Sequence, residues 1–161
     1  MEHYDPATYA VHSSIGYLMR RGALLLREQL EASFETAGMT FVQWATLILV
    51  RDNPGTTPGE VCRNLRHDSG AFTRIVDHLE ERNLLRRVPN DADRRSVHLL
   101  LTEDGDRMID VGIPLVVDRL NDVLGDFTAA EVAQLTALLT RMIFRLETSI
   151  HIAAPATRPR P

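Results

Sequence analysis

The apolar residues of this sequence depart from helical spacing in only one segment, and that segment restricts the fold more than any other feature. Apolar residues recur three and four positions apart over most of the length, which is typical of amphipathic helices. Between residues 84 and 101 the spacing becomes two, where Val97, Leu99 and Leu101 occupy alternate positions. The pattern predicts a mainly α protein with one small β-hairpin, formed by residues 84–89 and 96–101.

Capping signals indicate where the helices begin. Thr40, Asp68 and Thr102 are suitable N-caps, and Thr57 and Thr128 are each followed three residues later by the glutamate of a capping box. We therefore expect helices over residues 11–35, 41–52, 58–65, 69–82, 103–124 and 129–146. At 161 residues, the chain is long enough for a single domain and too short for a large multidomain enzyme.

The fourth of these helices has two different faces. Its apolar residues follow the i, i+3, i+4, i+7 pattern of a buried face, and they are Phe72, Ile75, Val76 and Leu79. The opposite face is therefore expected to meet solvent or a partner. It carries the small and polar residues Ser69, Gly70, Thr73, Arg74, Asp77, His78 and Glu81.

The charge of the chain is unevenly distributed. The net charge is −4, from 18 basic and 22 acidic residues, and every basic residue is an arginine. Taken alone, this total argues weakly against a nucleic-acid partner. However, residues 57–100 sum to +1 and the remainder to −5, so the middle of the chain is arginine-rich compared with the rest. Such a segment is suited to a polyanionic partner.

Several classes of protein are disfavoured. No apolar run approaches the length of a membrane span, and the N-terminus lacks a basic region followed by an apolar stretch, so we expect a cytoplasmic protein with no membrane partner. The single cysteine, Cys62, rules out an internal disulfide and a site with several thiolates. His67, His78 and His98 lack the close spacing of zinc ligands, so no metal site is expected.

The order of short helix, turn, helix and hairpin is that of a winged helix-turn-helix. A helix of about fifteen residues is roughly 22 Å long and fits the DNA major groove, and a charged loop can reach the adjacent minor groove. Small residues at the helix start let its backbone approach the base edges, and the side chains one turn later can reach phosphate or guanine. The candidate contacts to double-stranded DNA are Ser69, Gly70, Ala71, Thr73, Arg74 and His78 on the helix, and Arg94 and Arg95 in the hairpin loop.

Specific motifs stand at fixed spacing in and around this region. They are Asp68-Ser-Gly-Ala-Phe-Thr-Arg-Ile-Val-Asp-His-Leu-Glu80, Leu84-Leu85-x-Arg87, Asp93-Arg94-Arg95-Ser96, Leu101-Thr102-x-x-Gly105 and Thr40-x-x-Gln43-Trp44-x-x-Leu47. In this combination the chain resembles the MarR (multiple-antibiotic-resistance regulator) family of winged helix-turn-helix transcriptional regulators. The resemblance runs from about Ile15 to Leu146, which is nearly the whole chain.

The resemblance implies two lobes within the single domain 1–161. Residues 11–36 and 103–150 would form a helical dimerisation region, and residues 40–101 a winged helix DNA-binding lobe. The homodimer would read a palindromic operator whose half-sites lie about one helical turn apart. Arg87, Asp93 and Arg95 are counted with the DNA-binding residues: Arg95 would enter the minor groove, and Asp93 would brace the wing by pairing with a neighbouring arginine. The proline-rich residues 153–161 are expected to be disordered.

The sequence departs from the family pattern in three places. Asn83 replaces the usual glycine after the recognition helix, which is tolerable because asparagine accepts the left-handed conformation better than most residues. Phe72 replaces a smaller apolar residue and is expected to be core. The cysteine that peroxide-sensing members carry near the start of the first helix is missing. Cys62 is more often a small buried apolar residue than a sensor.

The family also implies a small-molecule effector. Its members bind small aromatic or phenolic compounds in the cleft between the two lobes. His12, Arg20 and Trp44 are candidates for that cleft, although a tryptophan on an apolar helix face is more often a core residue.

We therefore predict a dimeric, sequence-specific DNA-binding transcriptional regulator, most simply a repressor released by a small aromatic or phenolic ligand. One alternative is a winged-helix interaction module without DNA binding, which Arg74, Arg94 and Arg95 disfavour. Another is a redox-sensing repressor that uses Cys62. The nucleophile-elbow, phosphate-loop, dinucleotide and metalloprotease motifs are missing from the sequence, so no enzyme, catalytic residue or cofactor is expected.

Overall fold

Over the residues that the structure describes, the chain forms six α-helices and one β-hairpin, which confirms the mainly α class predicted from the hydrophobic period. The structure is a computed structural model and describes residues 3–90 and 96–152. In chain order the elements are α1 (Ile15–Glu35), α2 (Phe41–Asp52), α3 (Pro58–Asn64), α4 (Ser69–Glu81), β1 (Leu85–Pro89), β2 (Val97–Leu101), α5 (Glu103–Val123) and α6 (Ala129–Ile152).

The first helix begins later than the sequence pattern predicts. Val11–Ser13 form a separate 3-10 turn, and Ser14 is the N-cap of α1, with its Oγ accepting a hydrogen bond from the Tyr17 N–H at 3.4 Å. The expected start at residue 11 is therefore wrong, because hydrophobic spacing cannot distinguish one turn of 3-10 helix from the first turn of an α-helix.

The capping boxes lie where the sequence predicts them. At α3 the Thr57 Oγ1 accepts from the Glu60 N–H, while the Glu60 carboxylate accepts from the Thr57 N–H at 2.8 Å. Thr128 and Glu131 repeat this reciprocal pair at the start of α6. Each box satisfies backbone donors that the first turn of a helix leaves unpaired.

The hairpin is antiparallel, with Leu85 opposite Leu101 and Pro89 opposite Val97. The middle of its second strand is also bonded to the turn before α3, since the Leu99 N–H donates to the Thr56 carbonyl at 2.8 Å. This bond holds the hairpin against the helix-turn-helix.

The core lies around the inner face of α4. Phe72, Val76 and Leu79 are buried there, as their spacing predicts. They form one cluster with residues from six other elements and the segments that join them, namely Phe34, Met39, Leu47, Val50, Val61, Leu84, Leu85, Leu99 and Ile109. α4 is thus fixed by the same packing that stabilises the fold.

The described chain divides into two compact units, one up to Arg119 and one from Leu120 onward. In the second unit, no described side chain of α6 is fully buried within the chain. The half-exposed apolar residues of this helix include Leu135, Leu138, Ile143 and Leu146. Across the residues that the structure describes, no helix combines the length and hydrophobicity needed to cross a membrane.

Candidate nucleic-acid interface

The turn between α3 and α4 fixes where the fourth helix starts. Arg66 has a positive φ of 49° in this turn, and the His67 N–H donates to the Cys62 carbonyl at 3.1 Å. Asp68 then caps α4, with its Oδ1 accepting from the Ala71 N–H at 2.9 Å. The chain therefore reverses sharply and presents the first turn of α4 at the surface.

The outer face of α4 is exposed along its length. The predicted contact residues Ser69, Gly70, Ala71, Thr73, Arg74 and His78 are all exposed and lie opposite the buried face. Their backbone positions are rigid because the other face of the helix is packed in the core. The Thr73 hydroxyl donates back to the Ser69 carbonyl at 3.0 Å, which leaves its oxygen lone pairs able to accept from a partner.

Arg87 lies in β1 and is bonded to α4. Its guanidinium donates to Asp77 Oδ1 at 2.6 Å and to Glu80 Oε2 at 2.5 Å, and its backbone N–H donates to Glu80 Oε1 at 2.9 Å. Partial burial alone would lower the pKa of Arg87, but the hydrogen bonds and charges of Asp77 and Glu80 outweigh it and raise the pKa above its ordinary value. The side chain predicted to contact DNA is thus held between α4 and the hairpin.

The base of the hairpin loop is closed by Asn90 and Ser96. The Asn90 N–H donates to the Ser96 carbonyl at 3.1 Å, and the Asn90 Nδ2 donates to the Ser96 hydroxyl at 3.0 Å. Asp93, Arg94 and Arg95, the predicted wing residues, lie outside the described residues.

Asn83 has the left-handed conformation expected of it, with a φ of 57°. Its Nδ2 donates to Asp104 Oδ2 at 2.8 Å, and its carbonyl accepts from the Thr102 hydroxyl at 2.6 Å. The pKa of Asp104 lies below its ordinary value, first because of the hydrogen bond from Arg107 and then because of the one from Asn83. This position therefore reverses the chain and also joins the end of α4 to the start of α5.

The three candidate effector residues have different surroundings. His12 is exposed and contacts the Tyr17 ring edge to face, with 4.9 Å between ring centroids, and Arg20 is exposed on α1. Trp44 is half-buried against the core, and its indole N–H donates to the Ile109 carbonyl at 3.1 Å. A groove of about 370 Å³ opens elsewhere, between the end of α2 and α3, and none of the three residues lines it.

Cys62 is half-buried and packs against the core cluster. Its Sγ donates to the His67 carbonyl at 3.2 Å, across the turn of the helix-turn-helix. These are the surroundings of a small structural residue, as the sequence analysis favours. Within the described part of the chain, no three His, Cys, Asp or Glu side chains are grouped to hold a metal ion.

Sequence reasoning missed the role of Asp77 and Glu80 as partners of Arg87. Both were visible on the recognition helix, three residues apart and hence on neighbouring positions of one helix face. It also missed Gly112 on α5, where the backbone lies against the indole of Trp44. An isolated glycine within a helical pattern was the available signal.

Comparison with known proteins gives consistent results. A family model described as "MarR family" matches residues 37–96. The transcriptional repressor NicR of Pseudomonas putida is 27% identical over 86% of this chain and 88% of its own length. The multiple antibiotic resistance protein MarR of Escherichia coli is 34% identical over 65% of this chain and 74% of its own length.

The solved structures extend this agreement to the fold. The crystal structure of a mutant MarR from E. coli complexed with operator DNA has a TM-score of 0.69 and 29% identity to this chain. The match covers 80% of this chain and 92% of that one. The similar region therefore includes both the described helix-turn-helix and most of the remaining helices.

Proposed function

This chain belongs to the MarR family, and on that basis we propose that it is a dimeric transcriptional repressor that binds a palindromic operator and is released by a small ligand. The observation that carries the proposal is the exposed outer face of α4, whose inner face is buried in the core. A rigid helix with small and polar residues at its exposed start is suited to the major groove.

Arg74 is the residue on this face with the greatest capacity for base recognition. It is exposed one turn into α4, and a guanidinium can donate two hydrogen bonds to the O6 and N7 of a guanine. Ser69 and Thr73 are closer to the helix start and are suited to phosphate oxygens. His78 lies one further turn along the same face of α4 and would contact the sugar-phosphate backbone of the DNA.

The hairpin would extend this contact to the neighbouring minor groove. Arg87 holds β1 against α4, and Arg94 and Arg95 would enter a narrow groove of strongly negative potential. Arg87 would act mainly by positioning the hairpin, while Asp93 would order the loop.

A second copy of the chain is the partner expected for the exposed apolar helices. Ile15, Leu18, Leu24 and Leu25 of α1 are each about half exposed, as are several leucines of α6. Apolar surface on this scale marks an interaction site in most proteins that fold in water. A two-fold dimer would present two α4 helices to successive major grooves.

The ligand would act by favouring one arrangement of the dimer over another. If it binds best when the two recognition helices are wrongly spaced, it shifts the population toward a state that cannot hold the operator. His12, Arg20 and Trp44 remain our candidates for contacting it. No step requires catalysis, and the protein would act in the cytoplasm, where the operator is accessible.

The first test is a gel-shift and footprint on the DNA that flanks the gene, at two salt concentrations. We expect protection of roughly 20 base pairs with two-fold symmetry, and weaker binding at higher salt as counterions compete for the phosphates. Equal binding to all sequences would contradict the proposal and favour the interaction-module alternative.

Arg74→Ala tests the recognition helix within the same assay. Losing a bidentate contact to guanine costs about 1–3 kcal/mol, so operator affinity should fall between about fivefold and about 150-fold for each of the two half-sites. Arg51→Ala removes the same charge from the end of α2 and is the matched control, for which we expect a much smaller change. Wild-type affinity of Arg74→Ala would show that α4 does not read the operator as proposed.

A further inference from the structure

Trp44 joins three helices through one side chain. Its ring lies 5.4 Å from Phe34 of α1 and 6.0 Å from Phe41 of α2, measured between ring centroids. On its other side, the indole N–H donates to the Ile109 carbonyl of α5 at 3.1 Å. By the predicted division of the chain, α2 belongs to the DNA-binding lobe, whereas α1 and α5 belong to the dimerisation region.

Gly112 provides the notch that this indole requires. It is buried in α5, and a Cβ added there would overlap Nε1 and Cδ1 of Trp44 and come within 2.8 Å of its Cε2. The indole cannot move aside easily because Phe34, which is fully buried, and Phe41 pack against it. The contact therefore fixes the distance between α2 and α5 as well as their orientation.

We propose that the contact between Trp44 and Gly112 sets the angle between the DNA-binding lobe and the helices α1 and α5, and thereby the operator half-site spacing that the dimer accepts. This inference rests on the proposed function. In a two-fold dimer, the separation of the two α4 helices depends on how each lobe is mounted on the interface helices, and successive grooves allow only a narrow range of separations. A rigid contact between large and small residues suits that role, since packed interiors transmit small displacements.

The test compares purified full-length variants on a library of operators in which the distance between half-sites varies by single base pairs. Gly112→Ala inserts a methyl group into the contact, so α2 and α5 must move apart to relieve the overlap. Because binding at the wild-type spacing would have to restore the original separation, we expect about a tenfold loss of affinity at that spacing. We expect the preferred spacing to change as well. Gly112→Ala combined with Trp44→Leu removes the overlap and should bring the affinity back toward that of the wild type.

The control is Gly22→Ala, which makes the same change in α1 at a position with no atom within 4 Å of the added group. Trp44→Phe is a milder variant that removes the indole N–H without inserting any atom, and it decides the question if Gly112→Ala does not fold. The dimerisation constant of each variant is measured by sedimentation, because a merely structural role would lower stability or affinity at all spacings alike.

A change of preferred spacing in a folded, dimeric variant supports the inference. An unchanged preference, with affinity either retained or reduced equally at every spacing, overturns it. A wild-type protein without sequence-specific binding overturns the proposed function as well, so the two failures are distinguishable.

Discussion

At the scale of single residues, Arg87 shows that an arginine expected to contact DNA can instead hold a strand against a helix. Its three hydrogen bonds go to Asp77 and Glu80 of α4 and involve both its guanidinium and its backbone N–H. Since bonds between charged partners are shorter and stronger than neutral ones, they hold β1 firmly against the recognition helix. The side chain is thereby placed to orient the hairpin.

We expect Arg87→Ala to reduce the free energy of unfolding by about 1 kcal/mol, because the pair is partly exposed and therefore partly screened by solvent. Operator affinity should fall as well, since the hairpin loses its fixed orientation. Arg86→Ala, an exposed neighbour on the same strand, is the control. Urea denaturation gives the first quantity, and equal effects of the two substitutions would show that the bonds to α4 contribute nothing.

At the scale of elements, threonine caps decide where helices begin. Thr57 and Thr128 each bond reciprocally with the glutamate three residues later. The pKa values of Glu60 and Glu131 lie below their ordinary 4.5, first because of the hydrogen bond from the threonine backbone and then because of the one from its side chain. The ionised form of each carboxylate is therefore favoured in the folded protein.

The two lowered pKa values make the free energy of unfolding depend on pH, with a definite sign. A carboxylate whose pKa is lowered by folding contributes stability above its ordinary pKa, and that stability is lost as the pH falls through the folded value. The combined variant of Glu60→Gln and Glu131→Gln keeps an oxygen that can accept the backbone hydrogen bond, but it cannot be protonated in this range. We expect it to lose less stability than the wild type between about pH 5 and about pH 3.

The measurement is the urea midpoint at each pH. Glu28→Gln, which changes an exposed carboxylate in the middle of α1, is the matched control and should follow the wild-type curve. The interpretation fails if the capping variant shows the same acid sensitivity as the wild type.

At the scale of the whole molecule, α6 has too little contact within the chain to account for its apolar residues. Leu135, Leu138 and Leu146 lie on one side of the helix and are between 42% and 53% exposed. Burying such side chains against a second copy removes apolar area from water and stabilises both chains. A dimer would therefore bury the apolar side chains of α6 that the single chain leaves exposed.

Leu138→Glu should convert the dimer to a monomer at micromolar concentration, because a carboxylate would have to be buried at the interface. Operator affinity should fall by about 100-fold or more as the two half-sites lose simultaneous binding. Thr140→Glu introduces the same charge at an exposed polar position on the opposite side of α6 and should remain dimeric. Sedimentation velocity distinguishes the two, and a dimeric Leu138→Glu would place the interface elsewhere.

Much of this architecture could be predicted from the sequence, because it depends on local signals. The buried face of α4 follows from spacing alone, and Asn83 follows from its position after a helix. The partners of Arg87 could not be found in this way, since they meet only after the chain reverses at Asn83. The notch at Gly112 is likewise a contact between residues 68 positions apart, and an isolated glycine in a helical pattern does not identify the side chain that packs against it.

The single tryptophan sits at the junction of α1, α2 and α5, with its indole N–H bonded to a backbone carbonyl of α5. Indole emission depends on the polarity and hydrogen bonding around the ring, and every photon excited at the red edge of protein absorption comes from this one place. The molecule thus carries a built-in fluorophore at the junction of α1, α2 and α5, and its emission spectrum reports the packing of these three helices in the unlabelled protein.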